Sequence, residues 1–245
     1  MKQIPNLFTL LNLFFGCIAI VCIMEYTHRS DVLDLSFLAL MLGSVYIFIA
    51  AIVDFLDGFV ARLFKATSAM GEQLDSLADV VSFGVAPSMI IFKLLEAYYE
   101  QNPINGEIMW FLIPAFILPC AAAWRLAKFN LDKEQHYYFK GVPTPAGGLV
   151  VASLPLAASD SNIIDNALTN PYVLYTIVIV ISILMVSNIP MISLKFKSKK
   201  VKDNLDKIIM ALIAVISAVF FQWAAVPIVF ICYVIVSLIF QPQKA

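Results

Sequence analysis

Charge is scarce in this chain of 245 residues: 13% are Asp, Glu, Lys or Arg, while 61% are hydrophobic. Soluble domains carry about a quarter charged and roughly half apolar residues, so an ordinary soluble domain is excluded. Cysteine is sparse too. Cys17, Cys22, Cys120 and Cys232 all lie in apolar runs and show no metal-ligand spacing, so they read as small buried hydrophobes and imply neither disulfides nor zinc. No nucleic-acid footprint is visible, and a net charge of -1 says little where the position of each charge matters more than the sum. There is no low-complexity tract, no repeat of solenoid period and no linker. Lys2 and the apolar run after it resemble a signal peptide, but no small-residue cleavage site follows before Glu25, His28 and Arg29. The first segment is therefore expected to be retained.

What is present is apolar length. Residues 7–24, 172–194 and 208–240 run nearly uncharged for the roughly 20 residues a membrane-spanning helix needs, or for two such lengths in the last case. The expected fold is all-α, a polytopic integral membrane helical bundle in a single domain, 1–245. Hydropathy predicts eight spans: 5–24, 35–62, 76–97, 108–128, 145–158, 171–193, 206–221 and 223–240. Charge tests that count. Arg62, Lys65, Lys128, Lys133, Lys140, Lys195, Lys197, Lys199, Lys200, Lys202 and Lys207 fall on one side, and the opposite loops hold essentially Arg29 alone. By the positive-inside rule both termini are cytoplasmic. The basic run at 195–202 has two readings, a patch that attracts anionic lipid or substrate and a purely topogenic signal.

Carboxylates in a membrane helix are costly, up to about 2.5–3.5 kcal/mol each at its centre on insertion scales, and mark function by default. The stretch 54–79 places Asp54 and Asp57 at the cytoplasmic end of the second span and Asp75 and Asp79 at the entry to the third. Asp54, Asp57, Gly58, Ala61 and Arg62 share one helical face, and so do Asp75 and Asp79, four apart. A turn around 65–70 lets the two helices pack antiparallel with the aspartates converging. Converging carboxylates repel unless a cation neutralises them. With hard oxygen donors and no His or Cys nearby, the set favours Mg²⁺, Mn²⁺ or Ca²⁺ over zinc. Gly58 and Ala61 leave a shallow trough, and Arg62, one turn on, is placed to hold an aspartate or to neutralise phosphate. The structural alternative, intrahelical pairing at the membrane surface, accounts for one Asp but not for this cluster.

These residues resemble a known family. Asp57, Gly58, Ala61, Arg62, Gly71, Asp75 and Asp79 match the CDP-alcohol phosphotransferase signature D-G-x2-A-R-x8-G-x3-D-x3-D at every fixed position, and Asp54 supplies the aspartate that often precedes it. The resemblance implies an enzyme that splits a CDP-linked lipid or alcohol and passes the phosphoalcohol moiety to an acceptor hydroxyl, releasing CMP. It implies that Asp54, Asp57 and Asp75 bind divalent metal, Mg²⁺ or Mn²⁺, that Asp79 completes the cluster and acts as general base, and that Gly58 and Ala61 line the cytidine site. Gly71 would mark the turn or a close helix contact.

The stretches 4–16, 82–88, 124–130 and 142–148 are similar to the bacterial-type branch of that family that takes L-serine as acceptor and CDP-diacylglycerol as donor. Lys128 stands where an Arg is more usual, and the 144–148 stretch varies a Pro-Ala-rich motif. The likeness implies a homodimer in the bacterial plasma membrane, a core within about 1–193, and two further helices at about 206–240. Asn6 and Thr9 sit at the depth of the aspartates and join the expected CDP-diacylglycerol contacts Asp54, Gly58, Ala61, Arg62 and Gly71; ordinary capping is the alternative for both. Arg125 lies inside an apolar run and should face protein or a cavity, unless it snorkels to the interface. With Lys128, Asn130 and Lys140 it offers donors for a serine carboxylate. His136 reads as a solvated loop residue. Other acceptors (glycerol 3-phosphate, an inositol derivative or choline) keep the same chemistry. A divalent-cation transporter would instead need polar groups through the membrane depth, and the sequence gathers them at one end.

Overall fold

A computed structural model describes residues 4–27, 33–63, 68–103, 106–131, 139–192 and 205–239. The basic run at 195–202, Lys65, Lys133 and His136 lie outside them, as do the side chains of Ala61 and Arg62. The chain is a helical bundle: α1 (Ile4–Met24), α2 (Leu33–Leu63), α3 (Ala69–Asp79), α4 (Ala86–Gln101), α5 (Met109–Leu112), α6 (Ile117–Leu131), α7 (Thr144–Asp160), α8 (Asn162–Leu168), α9 (Pro171–Val186), α10 (Leu205–Phe221) and α11 (Ala225–Ile239). Among the described residues, strand pairing is confined to a two-residue antiparallel ladder, β1 (Phe139–Lys140) on β2 (Pro190–Met191).

Among the described residues, five helical stretches are long and apolar enough to cross a membrane, Asn6–Met24, Ser36–Val60, Ala69–Gln101, Met109–Leu131 and Lys207–Ile239, or six if α8 and α9, bent by 86°, form one broken span. The difference from eight hydropathic spans has physical causes. The third stretch starts earlier than hydropathy places it, because Ser68 caps α3 by accepting from the Gly71 N–H at 3.0 Å and extends the helix back over polar residues. The fifth hydropathic span is α7, a 17-residue helix with nearly every side chain from Gly147 to Ala158 buried. A helix apolar on all sides belongs at the centre of a bundle. The last two spans form one apolar stretch, interrupted at Gln222–Ala224 where Gln222 takes a φ of 47°, and α10 and α11 fold against each other there.

The sequence of α1 explains how it seats. Thr9, Asn12, Gly16, Ala19 and Ile23 recur at alternating spacings of three and four and are all buried, whereas Leu7, Phe14 and Val21 on another face are exposed, as lipid-facing residues are. Small residues let helices approach where lipid removes the hydrophobic drive between them. A Cβ on Gly43 of α2 would meet the Ile23 side chain at 2.4 Å and the Ala19 carbonyl at 3.0 Å. α1 packs along α2 and also against α3, so it carries both aspartate-bearing helices.

Between α3 and α4 the helix continues through a π-helical stretch, Val80–Val85, immediately after Asp79. Such widened turns are frequent at functional sites. Three neighbours press on this one: a Cβ on Gly16 would lie 3.0 Å from Ser82 Cα, one on Gly84 3.2 Å from Pro119 Cα, and one on Gly148 2.6 Å from the Phe83 carbonyl. α1, α6 and α7 thus converge where the polar site begins.

Candidate active site

The aspartates meet at one end of the bundle. Asp54, Asp75 and Asp79 each offer an oxygen, and these oxygens lie within 4.8 Å of one another. Asp54 and Asp75 are half-buried and Asp79 is buried. Asp57, one turn on from Asp54, is buried and accepts a hydrogen bond from Thr9 Oγ1. Asn12, one turn further along α1, donates through Nδ2 to Asp79 Oδ1 at 3.3 Å. Ser82 donates to the Asn12 carbonyl at 3.1 Å and so ties α1 to the π-helical stretch. Asp57 Oδ1 and Asn12 Oδ1 are buried without a hydrogen-bond partner among the described residues.

That geometry tests the fit of a cation. Carboxylates this close repel, and buried acceptors without donors are costly. A hard divalent cation answers both, and the donors are all oxygen. The residues therefore fit the metal that the sequence implies, with Asp54, Asp75 and Asp79 as the tight set and Asp57 held beside it by Thr9.

The remaining candidate residues fall around this cluster. Asn6 of α1 lies against α3: its Oδ1 would be 3.1 Å from a Cβ on Gly71, so Gly71 sits at a close helix contact in the first turn of α3. Gly58 is exposed, and a Cβ there would meet nothing within 4 Å. Ala61 and Arg62 continue α2 toward its end at Leu63.

Of the residues expected on the acceptor side, Arg125 and Asn130 lie by the helix that carries Asp75 and Asp79, whereas Lys128 and Lys140 engage the segment after α9. Arg125 is buried, donates to Thr144 Oγ1 of α7 at 3.3 Å, and stands 5.9 Å from the Phe129 ring centroid. Its Nε has no hydrogen-bond partner among the described residues. Its guanidinium is within electrostatic reach of the Asp79 carboxylate. Asn130 donates to Ser76 Oγ of α3 at 2.9 Å, between Asp75 and Asp79 in sequence. Lys128 donates to Asn188 Oδ1 at 2.6 Å. Lys140 is exposed and pairs with Pro190 in the β1–β2 ladder.

Sequence reasoning assigns no site role to Asn12, Ser76, Ser82, Thr144 or Asn188. For Asn12 a signal exists, since a polar residue three on from Thr9 shares its face. Ser76 and Ser82 sit in the right stretch, but nothing local distinguishes them from helix-packing serines.

The sequence model of the CDP-alcohol phosphatidyltransferase family matches residues 2–239. The chain belongs to this family and is an enzyme of the transferase class. It is similar to the CDP-diacylglycerol–serine O-phosphatidyltransferase of Helicobacter pylori strain 26695, at 32% identity over 211 residues that cover 85% of this chain and 78% of that protein. The Bacillus subtilis protein of the same name is 34% identical over 154 residues, covering 63% of this chain and 76% of the relative. For the Mycobacterium tuberculosis H37Rv protein of that name the figures are 29% over 225 residues, 89% and 70%.

Proposed function

We propose that the protein transfers the phosphatidyl group of CDP-diacylglycerol to the hydroxyl of L-serine, giving phosphatidylserine and CMP. The convergence of Asp54, Asp75 and Asp79, with Asp79 oriented by Asn12, carries the reading; the relatives' shared name supports serine as acceptor. The charge distribution supports a site at the cytoplasmic face of a bacterial plasma membrane. The family resemblance supports a homodimer.

The donor's acyl chains remain among lipids while its cytidine and pyrophosphate reach the aspartates, where Asn6, Gly58, Ala61, Arg62 and Gly71 make up the nucleotide side. Asp54, Asp57, Asp75 and Asp79 would hold a divalent cation, Mg²⁺ or Mn²⁺, which would supply positive charge against the pyrophosphate and the CMP leaving group. Thr9 and Asn12 fix the carboxylates of Asp57 and Asp79, so that little reorganisation accompanies reaction. Asp79 accepts the proton of the serine hydroxyl as that oxygen bonds to the phosphorus bearing diacylglycerol. The bond from that phosphorus to the bridging oxygen breaks, and CMP leaves with the electron pair. Arg125, Lys128, Asn130 and Lys140 orient the serine, the guanidinium offering a fork that suits a carboxylate.

The test is CMP release from CDP-diacylglycerol by purified protein in detergent or lipid, with L-serine present or omitted, beside Asp79→Asn. Serine-stimulated release with a serine-bearing lipid product, lost in Asp79→Asn, is expected. Release with another acceptor and not with serine keeps the family and overturns the acceptor.

A further inference from the structure

The strap at 187–192, between α9 and the end of β2, touches the acceptor side of the site on one flank and the last helix on the other. On the first flank Lys128 Nζ donates to Asn188 at 2.6 Å, the Gly141 N–H donates to the Ile189 carbonyl at 2.9 Å, and Lys140 pairs with Pro190. Gly141 takes a φ of 76°, and a Cβ there would lie 2.4 Å from the Met185 carbonyl, so the turn that presents Lys140 is built tightly onto the end of α9.

On the other flank α11 grips both backbone polar groups of one residue. The Ile192 N–H donates to Ser237 Oγ at 3.2 Å, and the Tyr233 hydroxyl donates to the Ile192 carbonyl at 3.1 Å. Tyr233 and Ser237 are one helical turn apart on the same face, and both are buried. Tyr233 itself belongs with Val142, Met191, Ile192, Met210 and Val236 to an apolar cluster separate from the main core. Apolar packing alone would seat α11 there. Burying a hydroxyl is costly unless it is bonded, so the paired donor and acceptor specify a position for Ile192 that packing does not.

We propose that Tyr233 and Ser237 are positioning residues for the acceptor: they clamp Ile192 and so fix the strap from which the Lys128 and Lys140 contacts hang. The clamp gives the α10–α11 pair a part in acceptor selectivity, outside the aspartate cluster. It rests on the reading in which Arg125, Lys128 and Lys140 serve the acceptor.

The experiment compares full-length Tyr233→Phe, Ser237→Ala and Ser237→Thr with wild type and with Lys128→Ala. It reads kcat, the KM for the acceptor that wild type uses, the KM for CDP-diacylglycerol and the unfolding midpoint. Loss of one ordinary hydrogen bond predicts an acceptor KM raised about five-fold in Tyr233→Phe and in Ser237→Ala. The CDP-diacylglycerol KM stays at the wild-type value, and Ser237→Thr, which keeps the hydroxyl, restores the acceptor KM. An unchanged acceptor KM in both deletions overturns the clamp, as does an equal rise in both KM values with a lowered midpoint, the mark of a merely structural role. Lys128→Ala separates the underlying reading: a raised acceptor KM there with wild-type values in the α11 variants sinks the clamp alone. Wild-type values in all of them sink the acceptor reading with it.

Discussion

Thr9→Val isolates how far α1 sets the chemistry of the aspartates. Thr9 and Asp57 are 2% and 7% exposed, and the hydroxyl donates to one carboxylate oxygen while the other, Oδ1, has no partner among the described residues. Valine keeps the volume and branching of threonine, so the packing of α1 on α2 should survive and only the donor disappears. Asp57 then loses the hydrogen bond that orients it. A bond to an ionised group is worth about 1.5–3 kcal/mol. If that orientation serves a bound cation, the cost falls on cation affinity, for which removal of such a supporting partner is typically worth roughly 10- to 100-fold, a range that the energy independently gives. The assay is the initial rate of CMP release against free Mg²⁺ or Mn²⁺, at fixed substrates, for wild type, Thr9→Val and Thr9→Ser. The half-activating concentration should rise by roughly 10- to 100-fold in Thr9→Val, with most of the maximal rate recovered at high cation. Thr9→Ser, which retains the hydroxyl, should track wild type. A Thr9→Val curve that superimposes on wild type would show that the Thr9 bond is a helix-packing contact with no bearing on the cation.

Two glycines make opposite predictions. Gly148→Ala places a Cβ 2.6 Å from the Phe83 carbonyl and 2.9 Å from Phe83 Cα, backbone that cannot rotate away, so it should cost about 1–3 kcal/mol, seen as a lowered unfolding midpoint in detergent. Gly58→Ala has open space, and alanine favours the helix by about 0.5–1 kcal/mol, so the midpoint should hold or rise while the KM for CDP-diacylglycerol increases; an unchanged KM removes Gly58 from the nucleotide side. Exhaustive chelation of divalent cations should abolish CMP release, and added Mg²⁺ or Mn²⁺ should restore it. Activity that persists through chelation refutes the role given to the aspartates.

The aspartates are legible in the sequence because charge in an apolar run has few explanations. Their offsets of three and four put each pair on one face of its helix. What holds them is less legible. Thr9 reads locally as a capping residue and Asn12 as one more polar group near a helix start; only the packing of α1 against both α2 and α3 turns them into donors to Asp57 and Asp79. The π-helical stretch after Asp79 leaves no trace either, because a widened turn is set by what presses on it, here the neighbours of Gly16, Gly84 and Gly148. Hydropathy also starts the third stretch late, since the polar face that carries Asp75 and Asp79 depresses the average over residues that are nevertheless helical.

On the acceptor side the obstacle is of another kind. Arg125, Lys128 and Asn130 stand out as polar groups toward the end of α6 and Lys140 as a cation beyond it, but sequence spacing does not reveal that they meet Thr144 of α7, Ser76 of α3, and Asn188 and Pro190 of the strap after α9. Tyr233 and Ser237 are harder still. They lie in a run so uniformly apolar that a tyrosine and a serine barely alter its hydropathy, and in lipid-facing surroundings either would pass unnoticed. Their role depends on the carbonyl and amide of a residue 41 and 45 positions away, brought beneath α11 by the strap after α9. A side chain that satisfies a distant backbone group leaves no periodic signal, because the periodicity of a helix reports which face is buried and not which atoms await it there.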